Sequence, residues 1–234
     1  PELFEFTESR DRATRVLKYI ANIQVNNPDA ERHQYDTPRF PKAQREISKQ
    51  DGLKLLLDTD GPEAVKDWVL GQKKLLITDT TMRDAHQSLL STRLRTRDML
   101  KGADGTADIL ADCFSLEMWG GATFDTAYRF LHESPWERLE MLREKIPNIP
   151  FQMLLRGSNL VGYASYPDNL VRAFIAESAR EGIDVFRVFD SLNWMPNMET
   201  AMDEVLRQGK FLEGTVCYLS LIHISEPTRR VVIS

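Results

Sequence analysis

Residues 150–190 read PFQMLLRGSNLVGYASYPDNLVRAFIAESAREGIDVFRVFD, and this stretch decides the fold class. An apolar run at Pro150–Leu155 precedes an amphipathic segment of helix length at Pro167–Glu181, and a second apolar run follows at Asp184–Phe189. Short apolar runs that alternate with helical periodicity are typical of βα units on a parallel sheet. The stretch therefore predicts a strand, a helix and the next parallel strand.

The same alternation of apolar runs and helical segments extends over the chain from Lys74 onwards. The other segments are Leu75–Thr78, Arg93–Leu110, Cys113–Met118, Trp136–Ile146, Pro196–Gln208 and Thr215–Leu219. Alternation alone fits either an open sheet or a closed barrel. The chain has no glycine-rich phosphate loop after the first run, which is the main signal of a dinucleotide-binding open sheet. Its polar residues gather directly after each run, where TIM barrels have their active-site residues. We therefore predict an α/β fold with a partial TIM (β/α)8 barrel, about five of the eight strands.

The residues before the barrel differ from it in composition and in hydrophobic pattern. Charge alternates with apolar residues at helical spacing over Glu5–Ile23, which predicts a helix. Residues 24–50 are polar and punctuated by prolines, which predicts a linker across a surface. A short helix at Gly52–Leu57 and another from Pro62 to Gln72 lead into the first strand.

Charge and composition exclude several classes of partner. The chain has 30 basic and 35 acidic residues and a formal charge of −5, without a basic block or an apolar run that approaches about 20 residues. We therefore predict no nucleic-acid partner, no membrane partner and a cytoplasmic location. Cys113 and Cys217 lie in apolar runs, which indicates buried thiols rather than a disulfide. The four histidines lack the paired spacing of a zinc site.

The densest polar cluster of the chain follows the first apolar run. Residues Asp79–Ser88, DTTMRDAHQS, hold two carboxylates, an arginine, a histidine, an amide and three hydroxyls. A divalent cation or an anionic substrate would give this cluster partners, because carboxylates bind hard cations and guanidinium groups bind carboxylates. The alternative is a turn rich in Asp and Thr that only caps the next helix.

Single polar residues follow the other runs. Arg156 could point into a barrel mouth or form a structural ion pair, and Asp125 could serve a ligand or begin a helix. Residues Asp190–Asn193 could form only a turn. Their shared position after the apolar runs favours a common site.

Four motifs in this chain resemble one known family. The motifs are Asp79–Leu90, Glu117–Asp125, Phe151–Gly157 and Phe186–Asn193. In order and spacing they are similar to the opening of the biotin-dependent carboxyltransferase barrel, a family that includes pyruvate carboxylases, oxaloacetate decarboxylase alpha subunits and transcarboxylase subunits. Pro1–Phe6 and Ser9–Arg15 resemble the segment that joins the biotin-carboxylase part of pyruvate carboxylases to the barrel, which favours that branch. A decarboxylase or transcarboxylase subunit, and a non-catalytic binding remnant, stay as alternatives.

The resemblance implies roles for individual residues. Arg83, Gln87 and Arg156 match catalytic residues that hold pyruvate, and their guanidinium and amide donors suit a carboxylate and a developing enolate oxygen. Asp84 matches a metal-binding aspartate, for a zinc or manganese ion. The positions that match residues near the biotin ring are Asp125 and Tyr163.

The resemblance also implies a reaction in two steps. ATP and bicarbonate carboxylate biotin in another domain, and a carrier domain brings carboxybiotin to the barrel, where pyruvate becomes oxaloacetate for anaplerosis and gluconeogenesis. The family's other metal ligands, a modified lysine and two histidines, come from later strands, and so do a proton-exchanging threonine and the biotinyl lysine. We therefore expect this chain to be an inactive fragment by itself, and full-length chains to form a homotetramer.

Three segments follow from these observations. We predict a helical linker segment at residues 1–73, the N-terminal part of the barrel at 74–220 and a non-native tail at 221–234. The tail, LIHISEPTRRVVIS, resembles no part of the family and looks like translated sequencing-library adapter. Because an incomplete barrel has an unpaired strand edge, we expect the chain to be poorly soluble when it is expressed alone.

Overall fold

Five parallel strands form one sheet, and each strand pairs with the one before it in the chain. This sequential order is that of a barrel, whereas the strand order of a doubly wound sheet reverses at a switch point. The α/β class and the five strands of a partial barrel are therefore confirmed. The strands are β1 Thr78–Asp79, β2 Ser115–Trp119, β3 Phe151–Leu155, β4 Val185–Asp190 and β5 Phe211–Val216.

The computed structural model describes residues 15–26 and 52–217. The chain divides into two compact units, residues 1–40 and 41–234. In the first unit the described residues form helix α1, Arg15–Asn26, in the region where the sequence predicts a helix. The start of that predicted helix, most of the predicted linker and the predicted non-native tail lie outside the described residues.

Helices of the second unit lie between the strands, as the alternating pattern predicts. Among the described residues, no helix is long and apolar enough to cross a membrane. Short π-helical turns at Thr81–Ala85 and Ala127–Leu131 and a 3₁₀ turn at Gly157–Asn159 add to them. The helices are α2 Leu53–Gly71, α3 His86–Leu89, α4 Thr96–Ile109, α5 Thr123–Thr126, α6 Pro135–Lys145, α7 Asp168–Arg180 and α8 Pro196–Arg207.

Local sequence explains where these helices begin and bend. Ser134 caps α6 by accepting a hydrogen bond from the Glu137 backbone N–H at 3.3 Å, and Pro135 occupies the first helical position. The two short helices predicted before the barrel form one helix, α2, with a kink. Gly61, at φ 81°, and the following Pro62 account for the kink, because neither residue fits a regular helix interior there.

The main core lies between the sheet and the helices. One face of the strands contributes Leu116, Phe151 and Phe186, which are fully buried, and helices α6 and α7 cover them with Leu139 and Ile175. A shift in register between β2 and β3 turns Trp119 towards the same side as Met118. The Trp119 ring lies edge to face with Phe124 and Trp136, with ring centroids 5.3 and 5.0 Å apart.

Two strands differ from their predicted positions. The first predicted run, Leu75–Thr78, pairs with β2 only from Thr78 onwards, and Leu75 is exposed. The fifth strand begins at Phe211 rather than at Thr215, because Phe211 pairs with Val185 and its ring packs on Phe114 at 5.9 Å. Glu213 and Gly214 interrupt the apolar pattern and conceal the start of that strand in the sequence.

Helix α2 packs at the amino ends of the strands. Leu57 and Val65 of this helix form a second apolar cluster with Phe114 and Val185. Beside this cluster the buried carboxylate of Asp184 binds four donors. These are Arg143 Nη2 at 2.5 Å, the Phe151 backbone N–H at 3.0 Å, and Lys54 Nζ and Lys210 Nζ, both at 3.3 Å.

Candidate active site

The predicted site residues lie at the carboxyl ends of the first three strands. Arg83 and Asp84 belong to the π-helical turn Thr81–Ala85 that follows β1, and Gln87 lies in α3 directly after it. Asp125 lies in α5 after β2, and Arg156 follows β3 directly. Carboxyl ends of parallel strands share one edge of the sheet, so the topology brings these elements to one end of the molecule.

The Arg83 guanidinium is clamped between two carboxylates. Nη1 donates to Asp84 Oδ1 at 2.9 Å, and Nη2 donates to Glu117 Oε1 at 2.8 Å. The Glu117 side chain is 2% exposed, and that of Arg83 is 11% exposed, so this ion pair is shielded from water. A buried guanidinium held on two sides has a fixed orientation, which is what recognition of a carboxylate requires.

Gln87 is held by the turn that follows β2. Its Oε1 accepts a hydrogen bond from the Ala122 backbone N–H at 3.0 Å. Because this bond uses the carbonyl oxygen, the two amide N–H donors of Gln87 remain for another partner. The turn can approach only because residue 121 is glycine: at φ 55°, a Cβ on Gly121 would lie 2.3 Å from Gln87 Oε1.

A second glycine brings β2 against Arg83. Gly120 has φ 148°, and a Cβ there would lie 2.8 Å from Leu154 Cβ and 3.4 Å from Arg83 Nε. The motif Trp119-Gly120-Gly121 therefore lets the backbone after β2 approach both Arg83 and Gln87. Arg83 and Gln87 belong to the motif Asp79–Leu90, whereas the two glycines belong to Glu117–Asp125. Only the fold brings these two motifs together.

Arg156 and Tyr163 lie together after β3. Nη1 of Arg156 donates to the Gly162 backbone carbonyl at 2.9 Å, and the guanidinium carbon lies 5.4 Å from the centre of the Tyr163 ring. Arg156 is half-buried, and within residues 15–26 and 52–217 it forms no ion pair with a carboxylate. Its remaining N–H donors leave it suited to an anionic ligand.

Asp125 and Tyr163 line one cavity of about 270 Å³ between α5 and the loop after β3. Its walls include the aromatic rings of Phe124, Tyr128 and Tyr166. Asp125 also lies 3.5 Å from Arg129 Nη1, a distance at the limit for a hydrogen bond. The structure thus joins the two residues that the sequence analysis assigned to the biotin ring, although they are far apart in the chain.

Asp84 is the predicted metal ligand, and its side chain is 49% exposed at the mouth of the site. Its carboxylate suits a divalent cation. Within residues 15–26 and 52–217, however, no group of three or more His, Cys, Asp or Glu side chains could hold an ion. Asp84 therefore fits the role of one ligand and not that of a complete metal centre.

Other polar residues of the motifs serve the fold. Asp79 accepts from the Thr81 backbone N–H and hydroxyl, both at 3.0 Å, so part of the Asp-rich and Thr-rich stretch is a capping turn, as the alternative interpretation held. Asp190 likewise closes a turn by accepting from the Trp194 and Leu192 backbone N–H groups, and these bonds with Asn197 lower its pKa.

His86 is buried beneath the motif rather than exposed in the site. Its Nε2 lies 2.9 Å from the Met82 carbonyl oxygen, and Nδ1 has no hydrogen-bond partner. Burial lowers the pKa of His86, since the charged imidazolium would lose its hydration. The neutral ring holds the turn Thr81–Ala85 in shape.

Glu117 is a site residue to which the sequence analysis gave no role. It lies within the strand Ser115-Leu116-Glu117-Met118-Trp119, every residue of which is buried. A lone acid inside such a strand needs a buried partner, and Arg83 is that partner. The signal was present in the sequence, but the sequence could not show which basic residue it faces.

The arrangement can bind a small anion and stabilise a negative oxygen. The donors of Arg83 and Gln87 are held in place by other residues, and the buried charge of Arg83 is more effective than it would be in solvent. Together, the sequential parallel sheet and these residues define part of an α/β barrel of the TIM type with a candidate anion-binding site at the carboxyl ends of its strands.

Comparison with known proteins shows which proteins this chain resembles in sequence. No family model matches the chain. It is 55% identical over 223 residues to pyruvate carboxylase of Staphylococcus aureus, 51% identical over 222 residues to that of Bacillus subtilis and 45% identical over 240 residues to the human mitochondrial enzyme. These matches cover 93%, 93% and 98% of this chain and 19%, 19% and 20% of the relatives. The chain therefore spans about a fifth of the length of the curated relatives it matches.

Solved structures agree with the sequence matches. The carboxyl transferase domain of Rhizobium etli pyruvate carboxylase with pyruvate and biocytin matches at 51% identity and a TM-score of 0.73, over 75% of this chain and 30% of that one. The same domain with oxamate and biotin matches at 48% identity and a TM-score of 0.75, over 90% and 36%. The resemblance predicted from the four motifs is thus confirmed: this chain corresponds to a region of pyruvate carboxylases that includes part of their carboxyltransferase barrel.

Proposed function

We propose that this chain supplies the pyruvate side of the carboxyltransferase site in a pyruvate carboxylase, the biotin-dependent enzyme that converts pyruvate to oxaloacetate. The observation that carries the proposal is a pair of donors that follow β1 and are each held by a residue of β2 or of the turn after it. Arg83 is held by Glu117, and Gln87 is held by Ala122. These donors belong to a chain with 55% identity to the S. aureus enzyme.

In this proposal Arg83, Gln87 and Arg156 bind the substrate. The guanidinium groups would bind the carboxylate of pyruvate, and the amide N–H groups of Gln87 would donate to the oxygen that becomes the enolate oxygen. The methyl proton of pyruvate would pass to the proton-exchanging threonine that the resemblance implies on a later strand, and the enolate that remains has a negative oxygen, which donors already in place would stabilise. The fixed geometry matters because donors that must first reorient stabilise the enolate less.

Asp84 would hold a divalent zinc or manganese ion with further ligands from outside the described residues. When bound, the ion would polarise the substrate oxygen and favour the enolate. Arg83 contacts Asp84 directly, at 2.9 Å, so the substrate donors and the metal ligand form one unit.

The cavity lined by Asp125 and Tyr163 would receive the biotin ring from a carrier domain. A concave, largely aromatic pocket with a few polar groups suits a ring of this kind. Arg156 donates to Gly162 of the same loop, a contact that supports a biotin pocket next to a pyruvate ligand.

Several wider properties stay proposals. ATP and bicarbonate would be used by another domain, and full-length chains would form a homotetramer. We keep the segment boundaries at residues 73 and 220 as proposals, and note that α2 packs on the strand ends. The cytoplasmic location also stays a prediction, since the relatives include bacterial proteins and a human mitochondrial one.

The alternative functions gain no support. All three relatives are pyruvate carboxylases, and their matches include the front of the chain as well as the barrel, which is the part that a decarboxylase or transcarboxylase subunit would not need. A non-catalytic remnant has no use for a buried Arg83 and Glu117 pair, since burying two charges costs free energy unless another role compensates.

A hybrid enzyme tests the proposal. Residues 52–217 replace the aligned segment of S. aureus pyruvate carboxylase, and oxaloacetate formation from pyruvate, ATP and bicarbonate is measured. We expect an active hybrid in which Arg83→Gln lowers oxaloacetate formation about 100-fold. Bicarbonate-dependent ATP cleavage, which occurs in another domain, should be unchanged.

The matched control is Arg97→Gln, which removes an exposed arginine from α4. We expect it to retain full activity. A hybrid that cleaves ATP but forms no oxaloacetate would contradict the proposed function, and so would an Arg83→Gln variant as active as Arg97→Gln.

A further inference from the structure

Glu117 has a single charged partner in the described structure. Arg83 Nη2 lies 2.8 Å from both oxygens of the Glu117 carboxylate, with the hydrogen bond directed at Oε1. Oε2 is buried and has no hydrogen-bond donor, and Arg83 Nε is also buried without an acceptor. A buried carboxylate costs free energy unless it is fully paired, so this acid is not there for stability alone.

The fold has a separate polar network on the same strands, and Glu117 is outside it. The network links neighbouring strands in the order Thr78, Ser115, Gln152, Arg187 and Glu213. Thr78 and Ser115 hydroxyls lie 2.9 Å apart, Ser115 Oγ and the Gln152 amide lie 2.6 Å apart, and Arg187 Nε donates to Glu213 Oε2 at 2.7 Å. With the Gln152 amide turned to satisfy its partners, its oxygen accepts from Arg187 Nη2 at 3.1 Å. Among the residues that the structure describes, Glu117 thus pairs only with Arg83.

Asp84 competes for the same guanidinium. Arg83 contacts Asp84 through Nη1 and Glu117 through Nη2, while Gly120 closes the side next to Nε. Without the charge on Glu117, Asp84 would be the only carboxylate on Arg83, and the guanidinium would be drawn towards the exposed mouth. Two carboxylates on opposite edges hold the plane of the guanidinium in one orientation.

We propose that Glu117 is a positioning residue for carboxyl transfer: it fixes the Arg83 guanidinium in the orientation that binds pyruvate and keeps it from pairing with Asp84 alone. This inference rests on the proposed function. It does not make Glu117 a catalytic residue, because the acid acts through Arg83.

Positioning and simple electrostatics predict opposite results. Removing the negative charge of Glu117 should favour an anionic substrate by charge alone, which would lower the KM for pyruvate. Loss of orientation should instead lower kcat/KM, because the donors of Arg83 no longer meet the substrate in one geometry. The isosteric variant Glu117→Gln separates the two effects, since it keeps the volume and removes the charge.

The experiment measures kcat and KM for pyruvate in the hybrid enzyme and in its Glu117→Gln, Arg83→Lys and double variants. We expect Glu117→Gln to lower kcat/KM about 10- to 100-fold, the effect of one charge-assisted hydrogen bond. Bicarbonate-dependent ATP cleavage should be unchanged. In the Arg83→Lys background, Glu117→Gln should add less than about 2-fold, because both changes act on one interaction.

The matched control is Glu213→Gln, which removes another strand carboxylate paired with an arginine, Arg187, at 2.7 Å. It should change kcat/KM by less than about 2-fold. Glu117→Asp, which keeps the charge but shortens the side chain, should fall between the hybrid and Glu117→Gln.

Three results would overturn the inference: a lower KM for pyruvate in Glu117→Gln, effects of Glu117→Gln and Glu213→Gln that are equal, or full additivity with Arg83→Lys. A Glu117→Gln enzyme that does not fold, judged by its melting transition beside Glu117→Asp, would also overturn it. An inactive parent hybrid with intact ATP cleavage would instead contradict the proposed function, so the two failures are distinct.

Discussion

Two buried carboxylates are each paired with an arginine: Asp184 lies at the amino ends of the strands, and Glu117 lies within β2 and binds Arg83 beyond the carboxyl end of β1. Asp184, at the amino ends of the strands, receives bonds from Arg143, the Phe151 backbone and the two lysines Lys54 and Lys210. Both of its oxygens are used. Arg143 in turn binds three backbone carbonyls with its Nη atoms, which leaves only Nε without an acceptor.

The carboxyl end is organised differently. Glu117 uses one oxygen, Arg83 leaves Nε unpaired, and the second carboxylate on Arg83, Asp84, is half exposed. The difference indicates that the Asp184 network stabilises the fold, whereas the Glu117 network belongs to the candidate site. The network around Asp184, which uses both oxygens of its carboxylate and is called saturated below, joins helix α2 and the loops to the strand ends. The network around Glu117 leaves one carboxylate oxygen unpaired and has donors left for a ligand.

The largest expected effect is on the saturated network. Asp184→Asn removes the fully buried charge that pairs with three partly buried cations, Arg143, Lys54 and Lys210. We expect the barrel of the hybrid enzyme to be about 3–5 kcal/mol less stable, measured by urea titration. Asp203→Asn, which changes an exposed aspartate of α8, is the control and should change stability by less than about 0.5 kcal/mol. Equal midpoints for the two variants would remove the distinction between the two ends of the sheet.

A smaller effect on stability is expected where the motif Glu117–Asp125 contacts the motif Asp79–Leu90. Gly121→Ala places a Cβ at 2.3 Å from Gln87 Oε1 in a backbone with φ 55°, and should displace Gln87. Gly209→Ala has φ 65° and no atom within 4 Å of the new Cβ, so it carries only the backbone strain. Both variants should lose about 1–2 kcal/mol of stability. We expect Gly121→Ala alone to lower kcat/KM for pyruvate, by about 100-fold. If both variants lose activity alike, strain and not the position of Gln87 would be responsible.

The smallest effect concerns Glu133, which joins the start of α4 to α6. Burial raises its pKa, but the Thr96 hydroxyl and amide and the Arg138 guanidinium outweigh burial and hold the pKa below the ordinary value of 4.5. The unfolded chain therefore binds a proton at higher pH than the folded chain does. This stabilisation is complete above pH 4.5 and is lost as the pH falls from there through the folded-state pKa.

Glu133→Gln should therefore flatten the dependence of stability on pH below pH 4.5, as measured by urea titration at several pH values. Glu140→Gln, which changes an exposed acid of α6, should leave that slope unaltered. A slope that survives in Glu133→Gln would assign the acid sensitivity to other carboxylates.

Much of the fold follows from the sequence, because the apolar runs and helical periodicity alternate clearly. Four strands lie at or next to their predicted runs, and the fifth was displaced because Glu213 and Gly214 break its pattern. The bulge that turns Trp119 towards the helices has no signal in a strand of five buried residues. Register is decided by packing between strands and not by the local sequence.

The site was predictable only in part, because some of its contacts also depend on packing between strands. The cluster Asp79–Ser88 is visible as a dense set of polar residues, and the resemblance suggested roles for Arg83, Gln87, Asp84 and Arg156. The contact of Gly121 with Gln87 joins residues of different motifs, and so does the pairing of Glu117 with Arg83. Such contacts depend on strand order and backbone approach, which no local pattern encodes.

The most direct test of the difference between the two ends is a crystal structure of the hybrid enzyme with oxamate, the anion bound in a related R. etli structure. We predict that oxamate lies at the carboxyl ends of the strands within hydrogen-bond distance of Arg83, Gln87 or Arg156, while Asp184 keeps its four donors. Oxamate bound elsewhere, or beside Arg143 and Lys210 at the amino ends, would contradict the account.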